Sequence, residues 1–299
     1  MLSDRLKNYL HLHLLVFIAG FTAILGELIS IDAIPLVWFR MLIAGVLMFV
    51  YIKVRKINVR INLITFIKFS LAGIIIALHW ITFFEAINQS NISITLAMFS
   101  TGAFFASLIE PLFFKRKIIW YEIVFGVLVI LGVLLIVQTE VKYINGIILG
   151  ILSALFSTLF AVINGKFVRQ YRATVISFYE FISGVFFISL FIVVFRDGFN
   201  TDFFNLNSSD WKYLIILGSI CTAYASIAAI HIMKHISPYT VVLSYNLEPI
   251  YGLILAIILF PQKEKMSAVF YFGAAIIIST VILNGILKNS KVLKRGRSK

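Results

Sequence analysis

Ile236 to Phe260, ISPYTVVLSYNLEPIYGLILAIILF, is an apolar stretch of membrane length with a carboxylate near its centre. Glu248 lies ten residues beyond Pro238, roughly 15 Å along a helix and so midway through a hydrocarbon core of about 30 Å. A charge at that depth costs about 2.5–3.5 kcal/mol on insertion scales, so the acid either faces a polar interior or is protonated. Pro249 follows it and, in a continuous helix, leaves the carbonyl of Tyr245 without its partner. Ser244, Tyr245 and Glu248 share one helix face. An acid, a phenol and a freed carbonyl on one face point to a solvated pocket; the alternative is a proline kink with the acid hydrogen-bonded to a neighbouring helix.

The rest of the 299-residue chain has the same character. It is 61% hydrophobic and 13% charged with a mean hydropathy of +1.01, against about 45–50% apolar and 25% charged in soluble domains. The expected fold class is an all-α integral membrane protein with ten transmembrane helices, at about 12–31, 35–54, 65–85, 93–113, 119–138, 146–166, 175–195, 212–233, 238–259 and 267–287. The first apolar run ends in Gly26-Glu27 without a small-x-small cleavage site, so it reads as a retained span. One connection, Arg196 to Trp211, is a longer polar loop in which Ser209 or Asp210 is expected to cap the eighth helix. Cys221, the only cysteine, falls within an apolar segment and excludes an intrachain disulfide.

The net charge of +13 is a topology signal and carries no nucleic-acid role. With the N-terminus inside, the inner segments hold 2, 5, 3, 3, 1 and 6 Lys or Arg residues and the outer loops 0, 0, 1, 2 and 2, and Arg40 within span 2 completes the 26. The positive-inside rule then puts both termini in the cytoplasm of a bacterial inner (plasma) membrane. The basic tail, 288–299, is expected against anionic lipid headgroups.

The chain also repeats itself. Asn91 to Ser100 (NISITLAMFS) aligns with His235 to Ser244 (HISPYTVVLS), and Trp38-Phe39-Arg40 aligns with Phe178-Tyr179-Glu180. Five spans per half is an odd number, so the second half enters the membrane with opposite orientation, an arrangement that builds alternating-access transporters. The expected division is an N-terminal segment 1–11, a first repeat 12–138, a second repeat 139–287 and the tail 288–299.

Three sets of segments carry a family resemblance: Ala77 to Ala86 (ALHWITFFEA) in span 3, Asp210 to Leu214 (DWKYL) with Cys221 to Ala225 (CTAYA) in span 8, and Ser237 to Ser244 with Asn246 to Gly252 (NLEPIYG) in span 9. Together with the paired five-span layout they resemble the EamA family of the drug/metabolite transporter superfamily. The resemblance implies two inverted halves around a central cavity lined mainly by spans 3, 4, 8 and 9, helped by 1 and 6, and export or exchange of small metabolites such as amino acids. One departure is that Glu110-Pro111 falls six residues later in the repeat than Glu248-Pro249, so Glu110 reads as an interfacial or packing acid.

His79, eleven residues beyond Lys68, shares the depth of Glu248. It is either a packing histidine or a substrate contact and proton acceptor. Trp80, Phe83 and, in the other half, Tyr224 offer aromatic faces to a substrate or to neighbouring helices. Thr101, Tyr245 and Asn246 complete the expected substrate-binding set of His79, Trp80, Phe83, Thr101, Tyr224, Tyr245, Asn246 and Glu248. Thr22, Ser100, Ser157 and Thr158 are further cavity or packing candidates. Arg40 and Glu180, counterparts near opposite faces, are read as a gate or charge relay, the alternative being snorkelling to the headgroups.

No P-loop, no zinc-ligand spacing and no Gly-x-Ser-x-Gly is present, so an ATPase, a metal site and a serine hydrolase are not expected, nor is any cofactor. The expected function is a secondary transporter of a small-molecule substrate, an exporter in first place, with an importer or exchanger and a membrane-embedded modifying enzyme as alternatives, and with protons as a candidate coupling ion. The topology is directly testable. Alkaline phosphatase fused after Lys299 is expected to be inactive and the same reporter inserted near Asn205 active; the reverse pattern contradicts the orientation.

Overall fold

Inside a bilayer every backbone N–H and C=O must be satisfied within the protein, so long apolar runs without alternation become helices. The structure, a computed structural model, describes residues 4–115, 117, 119–232, 235, 244–245 and 247–296. Among the described residues the helices are α1 (Asp4–Leu28), α2 (Ala33–Val54), α3 (Leu63–Gln89), α4 (Ile92–Phe99), α5 (Gly102–Phe114), α6 (Trp120–Thr139), α7 (Ile144–Phe167), α8 (Ala173–Phe195), the short α9 (Thr201–Phe204), α10 (Ser208–Gly218), α11 (Ala225–Ile232), α12 (Glu248–Leu259) and α13 (Ala268–Gly296). Eight helical spans are long and apolar enough to cross a membrane; Glu248–Leu259 and Ala268–Asn284 are shorter apolar helices. Large side chains such as Phe186, Phe195 and Leu112 point outward and exposed, as a lipid-facing surface requires.

Two spans are interrupted. Residues 92–114 bend at Ser100-Thr101, where the hydroxyls of Ser100 and Thr101 donate to the carbonyls of Leu96 and Met98. Between α10 and α11, Ser219–Tyr224 forms a turn of π-helix, and the Thr222 hydroxyl donates to the Leu217 carbonyl five residues back. Of the expected ninth span, residues 238–243 and 246 lie outside the described residues. Helix α12 starts at Glu248, so Pro249 occupies the first turn, where a missing N–H costs nothing. The cap of α10 is corrected: Asn207 accepts from the Asp210 N–H at 2.7 Å and the helix begins at Ser208. Residues 4–11 belong to α1, and the last helix runs on to Gly296.

The helices pack in pairs: α3 lies along α7 and α8, α6 along α13, α1 along α12, and α2 along α8 and α10. Small residues allow the closest approaches. A Cβ on Gly20 would stand 2.9 Å from the Gly252 nitrogen and 3.0 Å from the Glu248 carbonyl oxygen, so α1 crosses α12 backbone against backbone.

The two ends of the bundle differ. At one end the connections interlock: the carboxylate of Glu264 accepts from the N–H groups of Ile92 and Ser93, Asp210 accepts from the N–H and hydroxyl of Ser30, Glu140 accepts from the N–H of Ser267, and Lys263 pairs with Glu27 at 2.6 Å. Glu264 and Asp210 are buried acids here; Glu264 meets the N-terminal end of α4, where orphan N–H groups favour an anion. The Glu27 carboxylate, by its hydrogen bond and charge, holds the Lys263 ammonium above its usual range. The long loop before α10 is less polar in effect than its composition: Phe199, Phe203 and Phe204 pack around Trp38 and Phe39. At the other end, where the basic loops 55–62 and 167–172 lie, Thr65 bonds Tyr171 and Tyr179 donates to the Val59 carbonyl, ties that join α3 and its preceding loop to the α7–α8 region.

The crossing of α1 on α12 gives a stability test. Gly20→Ala places a methyl against backbone atoms that cannot move aside, a strain of about 1–3 kcal/mol. Gly45→Ala meets its nearest neighbour, the Phe181 Cβ, at 3.8 Å and keeps up to about 1 kcal/mol of helix propensity. Thermal unfolding in detergent should show G20A melting below the parent and G45A at or above it; equal melting of the two would contradict the contact.

Candidate functional site

A cavity of about 260 Å³ lies where the two halves of the chain meet. Helix α3 contributes His79, Trp80 and Phe83, α2 contributes Arg40, and α1 contributes Ala19 and Thr22. The second half supplies Ser157, the π-turn residue Cys221, the α11 residues Ala225, Ser226 and Ala229, and Tyr245 with Glu248 at the start of α12; Phe99 at the end of α4 completes the wall. The walls run from mid-bundle toward the basic end through Ser226, Ala229 and Tyr245. One turn beyond Thr22 and Trp80 in the other direction, Gly26 and Phe84 are packed together.

Each polar group is held by its neighbours. Arg40 is 4% exposed; its Nε donates to the Thr222 hydroxyl at 2.8 Å, and its guanidinium lies 4.0 Å over the Trp80 ring and 5.7 Å from Phe84. The π turn makes this contact, because the widened turn brings Thr222 toward α2 while its hydroxyl proton goes to Leu217. Gly218 lets α10 approach closely there: a Cβ on it would stand 3.2 Å from the Arg40 carbonyl oxygen. The Nη1 atom of Arg40 is buried and, among the described residues, without a hydrogen-bond partner. Glu248 lines the same cavity.

His79 is anchored on α7. Its Nδ1 lies 3.1 Å from the Ser153 carbonyl and 2.9 Å from the Ser153 hydroxyl, while that hydroxyl donates to the His79 carbonyl. A carbonyl only accepts, so Nδ1 carries a proton and Nε2 is the nitrogen left to accept or bind another. Phe99 stacks on the imidazole at 5.4 Å between centroids.

The structure thus brings together Arg40, His79, Trp80, Phe83, Tyr245 and Glu248, with Thr22 and Ser157 beside them. Others expected from the sequence lie elsewhere. Thr101 is buried at the α4–α5 bend with its hydroxyl on Met98. Tyr224 is turned by the π turn onto the α1 side, 42% exposed, with its hydroxyl on His11. Ser100 and Thr158 bond carbonyls of their own helices, Leu96 and Ala154, and Asn246 falls outside the described residues. Neither half of the Arg40–Glu180 relay stands at an entrance. Arg40 is in the cavity wall, and Glu180, 1% exposed, is enclosed where α8 meets α3 and α7 and accepts from Asn164 at 2.8 Å. Neither snorkels, because each is clasped by a helix crossing over its own backbone, α10 at Arg40 and α3 at Glu180. Sequence reading missed Phe99 and Ser226 as wall residues and Thr222 as the partner that holds Arg40 from behind the wall; a π turn leaves no mark in hydropathy, although Thr222 stood within the quoted span 8 segment.

A multi-helix apolar bundle with a polar cavity between its halves is the architecture of a membrane carrier. The EamA-like transporter family matches residues 6–138 and again residues 144–286, so the chain belongs to that family. Among solved structures 27 chains resemble it. One, described only as the crystal structure of a protein, has a TM-score of 0.64 and 14% identity over 95% of this chain and 99% of its own; at that identity the likeness concerns the fold alone. Among curated proteins, none matches.

Proposed function

We propose that the chain is a secondary transporter that exports a small metabolite such as an amino acid by alternating access, with ten crossings in two inverted halves and both termini in the cytoplasm of a bacterial inner membrane. The observation that carries this reading is one cavity, walled by both halves, that holds a cation and a carboxylate at mid-bundle. Its volume of about 260 Å³ is just below the usual range for drug-sized ligands, ~300–1,000 Å³, and suits a single small solute.

Two further features support the inverted halves. Gly73 of α3 abuts the Glu180 carbonyl on α8, and Gly218 of α10 abuts the Arg40 carbonyl on α2, the same contact with the halves exchanged. In addition, the bend at Ser100-Thr101 aligns, within three or four residues, with the helix start at Glu248, and interrupted helices beside a central site are a recurring transporter device. The interlocked end bearing Glu264 and Asp210 is read as the outer face, closed, and the basic end as the inner face toward which the cavity extends. Moving the solute then requires the Glu264, Asp210 and Lys263 contacts to part while the inner ends of the helices close.

Glu248 with His79 is the proposed coupling pair, since both line the cavity and His79 keeps Nε2 for a proton. Reconstituted vesicles loaded with candidate amino acids test the reading. Glu248→Gln, which keeps shape and removes charge, should lower flux at least about tenfold, the scale of a lost charge-assisted contact, while the protein still inserts normally. An imposed pH gradient should raise net accumulation for the parent and not for E248Q. Unaltered flux in E248Q would contradict the site, and a parent indifferent to the gradient would contradict proton coupling.

A further inference from the structure

We propose that Arg40 is the cavity's carboxylate receptor, so that the carried solute presents a carboxylate to its Nη1 edge; this rests on reading the cavity as the transport site. An arginine with a purely structural task has its donors satisfied by the protein around it. A guanidinium has five N–H groups in a planar fork. Here Nε is committed to Thr222, one face of the guanidinium is covered by Trp80 at 4.0 Å, and Nη1 is buried with no hydrogen-bond partner among the described residues. The two held features fix the plane of the guanidinium in the cavity wall and leave Nη1 as the donor still to be paired, which suits a planar oxyanion.

The remaining charges narrow the class. Among the described residues no carboxylate stands within ion-pair distance of Arg40, although Glu248 lines the same cavity. Arg40 is therefore not neutralised by an internal pair, and the partner left for it is a carboxylate of the solute in the cavity. A dianionic phosphate is disfavoured, because the wall offers a single fixed cation and Glu248 opposes a second negative charge. Trp80, Phe83 and Phe99 supply apolar surface for the body of such a solute.

The test uses the full chain in detergent and three probes that share an aromatic body: phenylalanine, 3-phenylpropionate and phenethylamine. A ligand of the folded state raises its apparent melting temperature. The two carboxylates should stabilise the parent and phenethylamine should not. Arg40→Gln should weaken the carboxylates about 30-fold or more, as loss of a charge-assisted pair does, and Arg40→Lys should restore part of the binding. If R40Q does not fold, Thr222→Val, which keeps the charge and removes the Nε partner, should still weaken the carboxylates several-fold. A response to phenethylamine equal to that of phenylalanine, carboxylate binding unchanged by R40Q or T222V, or no response to either carboxylate overturns the assignment. Vesicle flux separates this from the transport reading. Arg40-dependent binding without flux counts against transport alone, and flux with charge-indifferent binding counts against Arg40 alone.

Discussion

A guanidinium cannot shed its charge in a protein interior, and Arg40 stands where a bilayer supplies no water to hydrate it. The surrounding structure answers that constraint. Helix α10 comes close enough over Gly218 to place Thr222 on Nε, and the π turn that presents Thr222 departs from regular helix at that point. Helix α3 lays Trp80 under the cation, and the restart of α12 at Glu248 brings a compensating carboxylate nearby. The cavity belongs to the same solution, since a polar space is what allows a charge to remain at that depth.

The Glu248 end of this arrangement depends on helix packing rather than on hydrogen bonds. With no side chain on Gly20 or Gly252, α1 and α12 touch along their backbones, and the first turn of α12 is pinned at the level of Thr22 and Arg40. His79 is fixed from another direction by Ser153 on α7. Three independently packed helices therefore set the positions of the acid, the imidazole and the guanidinium. Contacts at the interlocked end are of another kind: Glu264, Asp210 and Glu140 each accept from backbone N–H groups of a different connection. Such bonds can be exchanged for water at a membrane surface, whereas the buried glycine crossings cannot open without separating whole helices. That difference in cost suits a device whose ends move around a fixed middle.

Much of the helical layout was legible, because membrane-spanning runs are set by hydropathy and length, and the span ends read from the chain lie within a few residues of α2, α3, α6, α7 and α8. Depth counting also brought His79, Trp80 and Glu248 to one level. Arg40 and Glu180 were read near opposite faces as a gate or charge relay; counting residues from a helix end does not show that a neighbouring helix crosses over their backbone, as α10 and α3 do here. Tyr224 was misplaced for a related reason, since a π turn rotates the residues after it and a regular period cannot anticipate that. That Pro249 falls in the first turn of α12 was not legible, because hydropathy does not mark where a helix starts within an apolar run.

The central claim is that the cavity around Arg40 and Glu248 is the solute's path and is reached from the basic end. The chain's only cysteine, Cys221, sits in that wall, 8% exposed, so the native protein carries its own reporter. Vesicles reconstituted in a known orientation can be treated from either side with a small membrane-impermeant methanethiosulfonate, and modification of Cys221 followed by mass spectrometry. The account predicts modification from the side bearing the basic loops, slowed by phenylalanine, and little from the side bearing Glu264 and Asp210. Faster modification from the Glu264 side, or a rate that phenylalanine leaves unchanged, would contradict it.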